Sequence, residues 1–410
     1  MDPDGKSIEK HYSLYQREQF LKGTRGETSI VSAQPTKLQA ATKEKLTDKG
    51  YLYAVSNAGE GWTDQANRQA FFNWKIIPRM LVDTNERDLS VDLFGHKLPN
   101  PLLFAPIGIN SNYHPDAELI PARVAGELGM GYCLSTAASR SIEDVAKANG
   151  NGPRFFQLYW PHDPEITTSL LTRAHKSGYD ACILTVDTWQ LGWRPTDIDV
   201  SNYSFYYGKT GNQMGTSDPA FMKKYGKELE KDPSRWIDKA VWHGKAHSWK
   251  ELPALIKEWK KISGDKPFLL KGIQSTEDAL KAVEYGCDGI VVSNHAGRQV
   301  DGALGSLDAL AEIAPIVGDK LTIIYDSGVR TGADVFKAIA LGAKAVLFGR
   351  LWIFGMSAGG YEGCMHVTKC LLADLDILMT VGGFPSLRDI TRKSLKRVEG
   401  VMPEPPAAKL

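Results

Sequence analysis

Several absences narrow the chain before any motif is read. It has no surplus of charge, since 49 lysines and arginines face 48 aspartates and glutamates over 410 residues. Nucleic acid or an anionic membrane would select a basic excess, so neither is expected as a partner. No run of 18 apolar residues occurs, and the start from Met1 to Lys10 is polar, so neither a membrane span nor a secretory leader is expected. The five cysteines, Cys133, Cys182, Cys287, Cys364 and Cys370, form no C-x-x-C pair and no zinc spacing. Their odd number argues against a disulfide framework and for buried thiols in a soluble, intracellular protein. No G-x-G-x-x-G turn follows a strand-like run, and no P-loop is present. His243 and His247 stand four residues apart without the glutamate of an H-E-x-x-H motif, so they read as ordinary residues and no metal is expected.

What is present is a rhythm. Hydrophobic residues make up 42% of the chain and aromatics 10%, enough for a sizeable core. Residues 1–50 are polar, with one short amphipathic helix expected over Thr36–Leu46. From Pro101 onward, short apolar runs alternate with stretches of helical period. The expected strands are Leu102–Ala105, Gly131–Ser135, Arg154–Tyr159, Ala181–Val186, Phe268–Lys271, Gly289–Ser293, Thr322–Asp326 and Ala345–Gly349. Helical stretches follow most of them, at Ala117–Leu128, Ser141–Ala148, Pro164–Ser177, Thr276–Tyr285, Leu307–Val317 and Gly332–Leu341. Each strand is apolar enough to be buried on both faces, as parallel strands are. Eight βα units in roughly 250 residues predict an α/β (β/α)8 TIM barrel, with a doubly wound sheet as the alternative. The expected organisation is an N-terminal extension over 1–100 packed on the barrel, the barrel over 101–397, and a tail over 398–410.

One interval breaks the rhythm. Pro195 to His247 separates the fourth strand from the fifth, far more than the dozen or so residues of ordinary loops. It is dense in aromatics: Tyr203, Phe205, Tyr206, Tyr207, Phe221, Tyr225, Trp236 and Trp242. An insertion of this length at a barrel mouth is expected to be a lid.

The polar residues are in phase. A polar residue or glycine stands at or just past the end of every strand: Pro106-Ile107-Gly108, Ser135-Thr136, Gln157 with Tyr159, Thr185 with Asp187, Lys271, Ser293-Asn294-His295, Asp326-Ser327-Gly328 and Gly349-Arg350. All would lie at the C-terminal face of the barrel, where TIM-barrel sites are built. A site touching every strand suits a flat cofactor lying across the mouth. Asp326 to Gly332 and Gly349-Arg350, the loops after strands seven and eight, have the glycines and helix starts of a phosphate site, with Arg330 and Arg350 as added donors. His295 is the strongest candidate base, because a neutral imidazole accepts a proton near neutral pH; Arg298, three residues on, can grip a carboxylate. Asp187 can orient that imidazole, and Lys271 can set a fixed positive charge beside developing anionic charge. For Asp187 and Lys271 a purely structural ion pair is the competing reading.

These segments resemble one family. Tyr53 in Tyr-Ala-Val-Ser-Asn-Ala, Ala105-Pro106-Ile107-Gly108, Phe155-Phe156-Gln157-Leu158-Tyr159, Thr185-Val186-Asp187-Thr188, Leu270-Lys271-Gly272, Ser293 to Gln299 and Asp326 to Arg330 are similar to the FMN-dependent 2-hydroxy acid oxidases, over about Tyr12 to Arg397. The resemblance implies FMN as cofactor, and a small L-2-hydroxy acid and O2 as substrates. It implies that His295 takes the hydroxyl proton while the α-hydrogen leaves as hydride to the flavin, and that Asp187 supports the imidazolium. Tyr159 would contact the hydroxyl oxygen, and Tyr53, Arg194 and Arg298 would hold the carboxylate. Lys271 would favour the reduced flavin. Pro106, Ile107, Gly108, Ser135, Gln157, Thr185 and Ser293 would contact the ring or ribityl chain; Asp326, Gly328, Arg330, Gly349 and Arg350 would bind ribityl and phosphate. A homotetramer or larger ring is expected by the same resemblance.

Within that family, Tyr15-Gln16-Arg17-Glu18, Asp187-Thr188-Trp189, Gly192 to Pro195, Trp242-His243-Gly244 and Gly108 look most like lactate 2-monooxygenase, which turns lactate and O2 into acetate, CO2 and water. An oxidase releasing keto acid and hydrogen peroxide is the alternative; an FMN barrel of the isomerase or dehydrogenase type and a barrel without catalysis are more distant ones. Two positions depart from relatives. Asn57 stands where glycine is usual, and the turn is expected to survive because asparagine tolerates positive φ. Ala137 replaces a larger residue, which predicts a roomier substrate pocket. The tail ends Ala408-Lys409-Leu410, similar to the peroxisomal address Ser-Lys-Leu, so a peroxisomal location is expected, otherwise a cytoplasmic one.

Overall fold

The computed structural model describes residues 11–203, 211–229, 231–232, 234–400 and 402. Eight parallel strands close into a barrel: β1 Leu102–Phe104, β2 Gly131–Ser135, β3 Arg154–Leu158, β4 Cys182–Thr185, β5 Phe268–Ile273, β6 Gly289–Val292, β7 Thr322–Tyr325 and β8 Ala345–Phe348. Each lies within a residue or two of the run that its apolar content predicts. The strands are almost wholly buried because helices cover the outside and side chains fill the inside.

Every strand contributes to the filling. Leu103, Cys133, Phe155, Ile183, Leu269, Val291, Ile324 and Leu347 form a cluster separate from the larger core under the helices. A hairpin of Val91–Leu93 with His96–Leu98 supplies Leu93 and Leu98 to the same cluster. Its turn residue Phe94 meets Phe155 edge to face at 5.4 Å. The barrel is a packed core with its N-terminal end stoppered, so polar chemistry is confined to the other end.

Register delivers the polar residues there together. Ser135 lies opposite Gln157, and Thr185 opposite Lys271. The expected helices after the strands are present, as at Leu119–Glu127, Pro164–Lys176 and Gly332–Ala340. Two more were not read from the sequence: Leu252–Ser263, which precedes β5, and Arg350–Gly382, which is broken at Gly359 and Gly360.

Among the described residues, four helices lie ahead of the hairpin, Leu14–Gly23, Pro35–Lys45, Asp48–Val55 and Trp62–Asn73, where the sequence suggests a single one at Thr36–Leu46. Leu14–Gly23 buries none of its residues fully and Asp48–Val55 has only eight, so neither displays a long apolar stripe. A two-stranded ladder of Trp74–Ile76 with Leu395–Arg397 ties this segment to the chain's end. The insertion begins as a helix, Pro195–Asp199, whose Asp197 accepts a hydrogen bond from Ser56 at 2.8 Å. It continues through Pro219–Leu229 to a π-helical turn at Ile237–Val241. Phe205, Tyr206, Tyr207 and the Ala408-Lys409-Leu410 tail lie outside the described residues. All five cysteines are free, four of them buried. Among the described residues no helix is long and apolar enough to cross a membrane.

Candidate active site

The C-terminal mouth of the barrel opens into a cavity of about 960 Å³, its open entrance included. Its walls hold Pro106, Ile107, Gly108, Ser135 and Ala137 on one side, Lys271, His295 and Arg298 on another, and Asp326, Gly328, Arg330, Gly349 and Arg350 on a third. Tyr53, Tyr159 and Arg194 complete it. Gln157, Thr185, Ser293 and Asp187 stand immediately behind. Gln157 donates to Thr185 Oγ1 at 2.8 Å and accepts from the Thr136 amide, while Ser293 Oγ accepts from Lys271 at 3.0 Å. Every site residue expected from the sequence is thus in or directly behind one cavity.

His295 sits on the turn after β6, with φ of 56° followed by 57° at Ala296. Two consecutive non-glycine residues in the left-handed region hold backbone strain of order 1–3 kcal/mol each. The surroundings enforce it. Ser327 Oγ accepts from the Ala296 amide at 3.0 Å, and Asn294 caps Gly297 at 3.1 Å. The turn aims the imidazole inward and leaves Nδ1 2.9 Å from Asp187 Oδ1, with Thr188 Oγ1 at 3.1 Å. Burial pushes the His295 imidazole below its usual value; Asp187 opposes that shift, while Lys271 and Arg194 add to it. Burial works against the Asp187 charge, yet His295, Lys271 and the Thr188 hydroxyl hold its carboxyl at about 2. A neutral imidazole oriented by a fixed carboxylate is a base.

Facing it is a cationic clamp built on Tyr53. The Arg298 guanidinium lies 4.9 Å from the Tyr53 ring centre and that of Arg194 at 6.0 Å. Arg298 is held by the Tyr53 and Ser56 carbonyls, both at 2.8 Å, and Arg194 by the Arg298 carbonyl and Gln299 Oε1, both at 3.0 Å. Burial and the neighbouring Arg298 lower Arg194 to about 10. Its Nη1 is buried with no hydrogen-bond partner among the described residues. A buried guanidinium nitrogen left without an acceptor calls for an anion.

Lys271 lies between Ser293 and Asp326, the latter at 3.3 Å. Burial works against its charge, but Asp326 and Asp187 outweigh burial and raise it. The phosphate end is divided. The Gly332–Ala340 helix start is already capped, since Asp334 accepts from the Arg330 and Thr331 amides and Asp374 from Gly332. The Arg350–Gly382 helix starts at Gly349 without a side-chain cap, so it is the helix terminus suited to a phosphate. Arg350 itself binds the Ala54, Ser56 and Ala296 carbonyls, Asp64 and Asn57, which matches its five N–H groups. In this structure it braces the turn that carries Tyr53. Asn57 keeps an ordinary φ, contrary to the expected left-handed turn; Gly59 and Gly61 take the positive values, and Asn57 instead accepts from Arg350 at 2.9 Å.

Two aromatic wall residues, Tyr113 and Trp242, were not assigned roles from the sequence. Tyr113 follows an irregular turn with no periodic signal. Trp242, at the end of the insertion, lines the cavity and meets the Tyr159 ring edge to face at 6.2 Å. Its neighbour Trp236 is fully buried and donates to the Thr136 carbonyl at 3.3 Å.

Comparison with known proteins agrees with this geometry. The FMN-dependent dehydrogenase family profile matches residues 42–397. The chain is 45% identical to an FMN-dependent alpha-hydroxy acid dehydrogenase, qulF, of Penicillium citrinum, covering 95% of this chain and 96% of that one. It is 38% identical to an L-lactate oxidase of Lysinibacillus sphaericus, over 89% and 92% of the two chains. Crystalline mandelate oxidase bound to (S)-2-phenylpropionate superposes with a TM-score of 0.78 at 30% identity, covering 91% of this chain and all of that one. The chain belongs to the FMN-dependent dehydrogenase family. It is an FMN-dependent 2-hydroxy acid oxidoreductase.

Proposed function

We propose that this enzyme oxidises a small L-2-hydroxy acid and acts as a lactate 2-monooxygenase, yielding acetate, CO2 and water from lactate and O2. The observation that carries the oxidation is the placement of the His295–Asp187 pair opposite the Tyr53, Arg194 and Arg298 clamp in one cavity. The carboxylate enters the clamp and meets the free Nη1 of Arg194. His295 Nε2 takes the hydroxyl proton, and the charge it acquires is offset by Asp187 on the other ring nitrogen. Tyr159 stays protonated because burial raises its phenol, so it donates to the substrate's oxygen. FMN, when bound, supplies the two-electron acceptor. Lys271 sets a buried positive charge in the cavity, and Pro106 to Gly108, Ser135, Gln157, Thr185 and Ser293 would surround the ring and ribityl chain. Asp326, Gly328, Arg330, Gly349 and Arg350 would hold the ribityl and phosphate end.

The monooxygenase outcome requires the keto acid and hydrogen peroxide to stay together until the acid is decarboxylated. Support comes from the insertion, whose Trp242 closes the cavity over Tyr159 while Trp236 anchors it. We take residues 195–247 as a lid on those grounds. Product analysis of an air-saturated reaction with L-lactate, run with catalase, tests this reading. Acetate and CO2 support it; pyruvate means that the intermediate escapes and the enzyme is an oxidase. The proposal extends to an assembly of four or more subunits and, where Leu410 is the free carboxyl terminus, to a peroxisomal location. Light scattering and imaging of an N-terminal fluorescent fusion test these.

A further inference from the structure

Outside the cavity, on the rim of the mouth, three histidines meet. His162 belongs to the loop after β3, three residues beyond Tyr159; His243 directly follows Trp242, and His247 closes the insertion. Their ligand-capable atoms lie within 4.8 Å of one another. The His162 ring stacks on that of His247 at 3.9 Å and lies 4.5 Å from that of His243, while Trp160 covers the other side of His247 at 3.8 Å. His243 and His247 both direct Nε2 at the Trp160 carbonyl, at 3.1 and 3.2 Å, and His162 directs Nε2 at the Lys245 carbonyl. On the far side of His247, Nδ1 is 3.1 Å from Glu251 Oε1, and Glu251 is itself fixed by the Ser248 amide and hydroxyl. From the sequence His243 and His247 read as unremarkable; the missing ligand was His162, supplied by another strand's loop.

We propose that His162, His243 and His247 form a binding site for a divalent transition-metal ion of the zinc class, and that an ion there pins the Trp242 segment to the loop carrying Tyr159. Imidazole suits zinc, copper and nickel ions, and three such ligands leave a fourth position for water. A neutral imidazole carries one N–H. Moving it to Nδ1 of His247, where Glu251 accepts it, frees Nε2 for the ion and creates the carboxylate–histidine–metal arrangement that orients a ligand. Metal–nitrogen bonds of about 2.0–2.1 Å set tetrahedral ligands roughly 3.4 Å apart, so ligand atoms now within 4.8 Å of one another must draw in by up to about 1.4 Å. His162 is exposed and can rotate to do so.

The ion-binding claim is independent of the proposed reaction; the effect on turnover rests on it. The test uses the FMN-loaded full chain, freed of metal with EDTA and dialysed. Zinc is titrated against a chromophoric chelator, and cobalt absorption is followed above 550 nm, where flavin is transparent. The expected result is one zinc per chain with cobalt bands of tetrahedral type. H162N should weaken zinc at least tenfold, and E251Q about 10–100-fold, both keeping wild-type flavin content and EDTA-treated turnover. Zinc should lower kcat with L-lactate in the wild type and not in H162N. Absence of micromolar zinc binding in the wild type, or unchanged binding in an H162N/H247N double variant, overturns the site. One bound zinc with kcat unchanged overturns the pinning.

Discussion

His295 Nδ1 and Asp187 Oδ1 are 2.9 Å apart, although 108 residues separate them in the chain. The strand ends of β4 and β6 bring them together, and burial keeps the imidazole neutral while the carboxylate stays charged. Replacing His295 with alanine should leave FMN bound and slow its reduction by substrate about 10²–10⁴-fold, the range for losing a general base. Wild-type reduction by H295A would remove His295 from that role.

The same pair sets the pH profile. A base must be unprotonated to act, so kcat/KM should fall on the acid side, through the pKa of His295. Burial places that pKa below the usual imidazole value of 6.5, so the limb should have its midpoint under 6.5 and be flat from there to neutrality. Asp187 holds the value up, so D187N should move the limb further down while lowering its plateau. An acid limb centred above 7 in the wild type would contradict the assignment.

Arg194 offers a buried nitrogen that nothing in the described protein accepts. R194M should raise KM and lower kcat/KM about 10–100-fold, from a charged hydrogen bond worth about 1.5–3 kcal/mol. Flavin content should not change. Steady-state kinetics beside the flavin-to-protein absorbance ratio separates the two effects.

Ala137 and Gly108 are jointly small. A Cβ built on Gly108 would stand 2.8 Å from the Ala137 Cβ and 2.7 Å from its carbonyl oxygen. Close packing on Ala137 thus accounts for Gly108, while the short Ala137 side chain on the cavity wall predicts better kcat/KM for longer 2-hydroxy acids than for lactate. A137L should reverse that order by about tenfold or more, as a change of a methylene or two in an apolar pocket does. Equal values for four-carbon and three-carbon acids in both proteins would end the idea.

Trp242 meets the Tyr159 ring edge to face from the insertion. W242A removes that ring, so the cover should loosen. In the monooxygenase reading the fraction of pyruvate and peroxide should then rise at the expense of acetate, as chromatography of products would show.

Much of this was legible because parallel strands buried on both faces leave an unmistakable apolar run, and because polar residues at all eight strand ends share one phase. His295, Asp187, Lys271 and the Arg298 clamp lie at such ends. What was hidden has no period. The N-terminal helices Leu14–Gly23 and Asp48–Val55 are short or lack a buried stripe, and their stability comes from the surface they pack on. Arg350 starts a helix, as a phosphate ligand does, and its further partners Ala54, Ser56 and Asp64 come from a segment almost 300 residues earlier that no local pattern links to it. Asn57 was judged by its backbone tolerance, whereas its side chain is what the fold uses. His162 had no signal until the fold set it beside His243 and His247.

At the centre stands His295 as the base that takes the hydroxyl proton of a 2-hydroxy acid held by the arginine clamp, with FMN as the electron acceptor. Anaerobic mixing of the FMN enzyme with L-lactate and its longer homologues, followed at the flavin absorbance, addresses it most directly. Bleaching by the L-acids with saturation is expected, not by the D-acids, and none on the same timescale in H295A carrying full flavin. A flavin that no L-2-hydroxy acid bleaches, or that bleaches as fast in H295A, would contradict it.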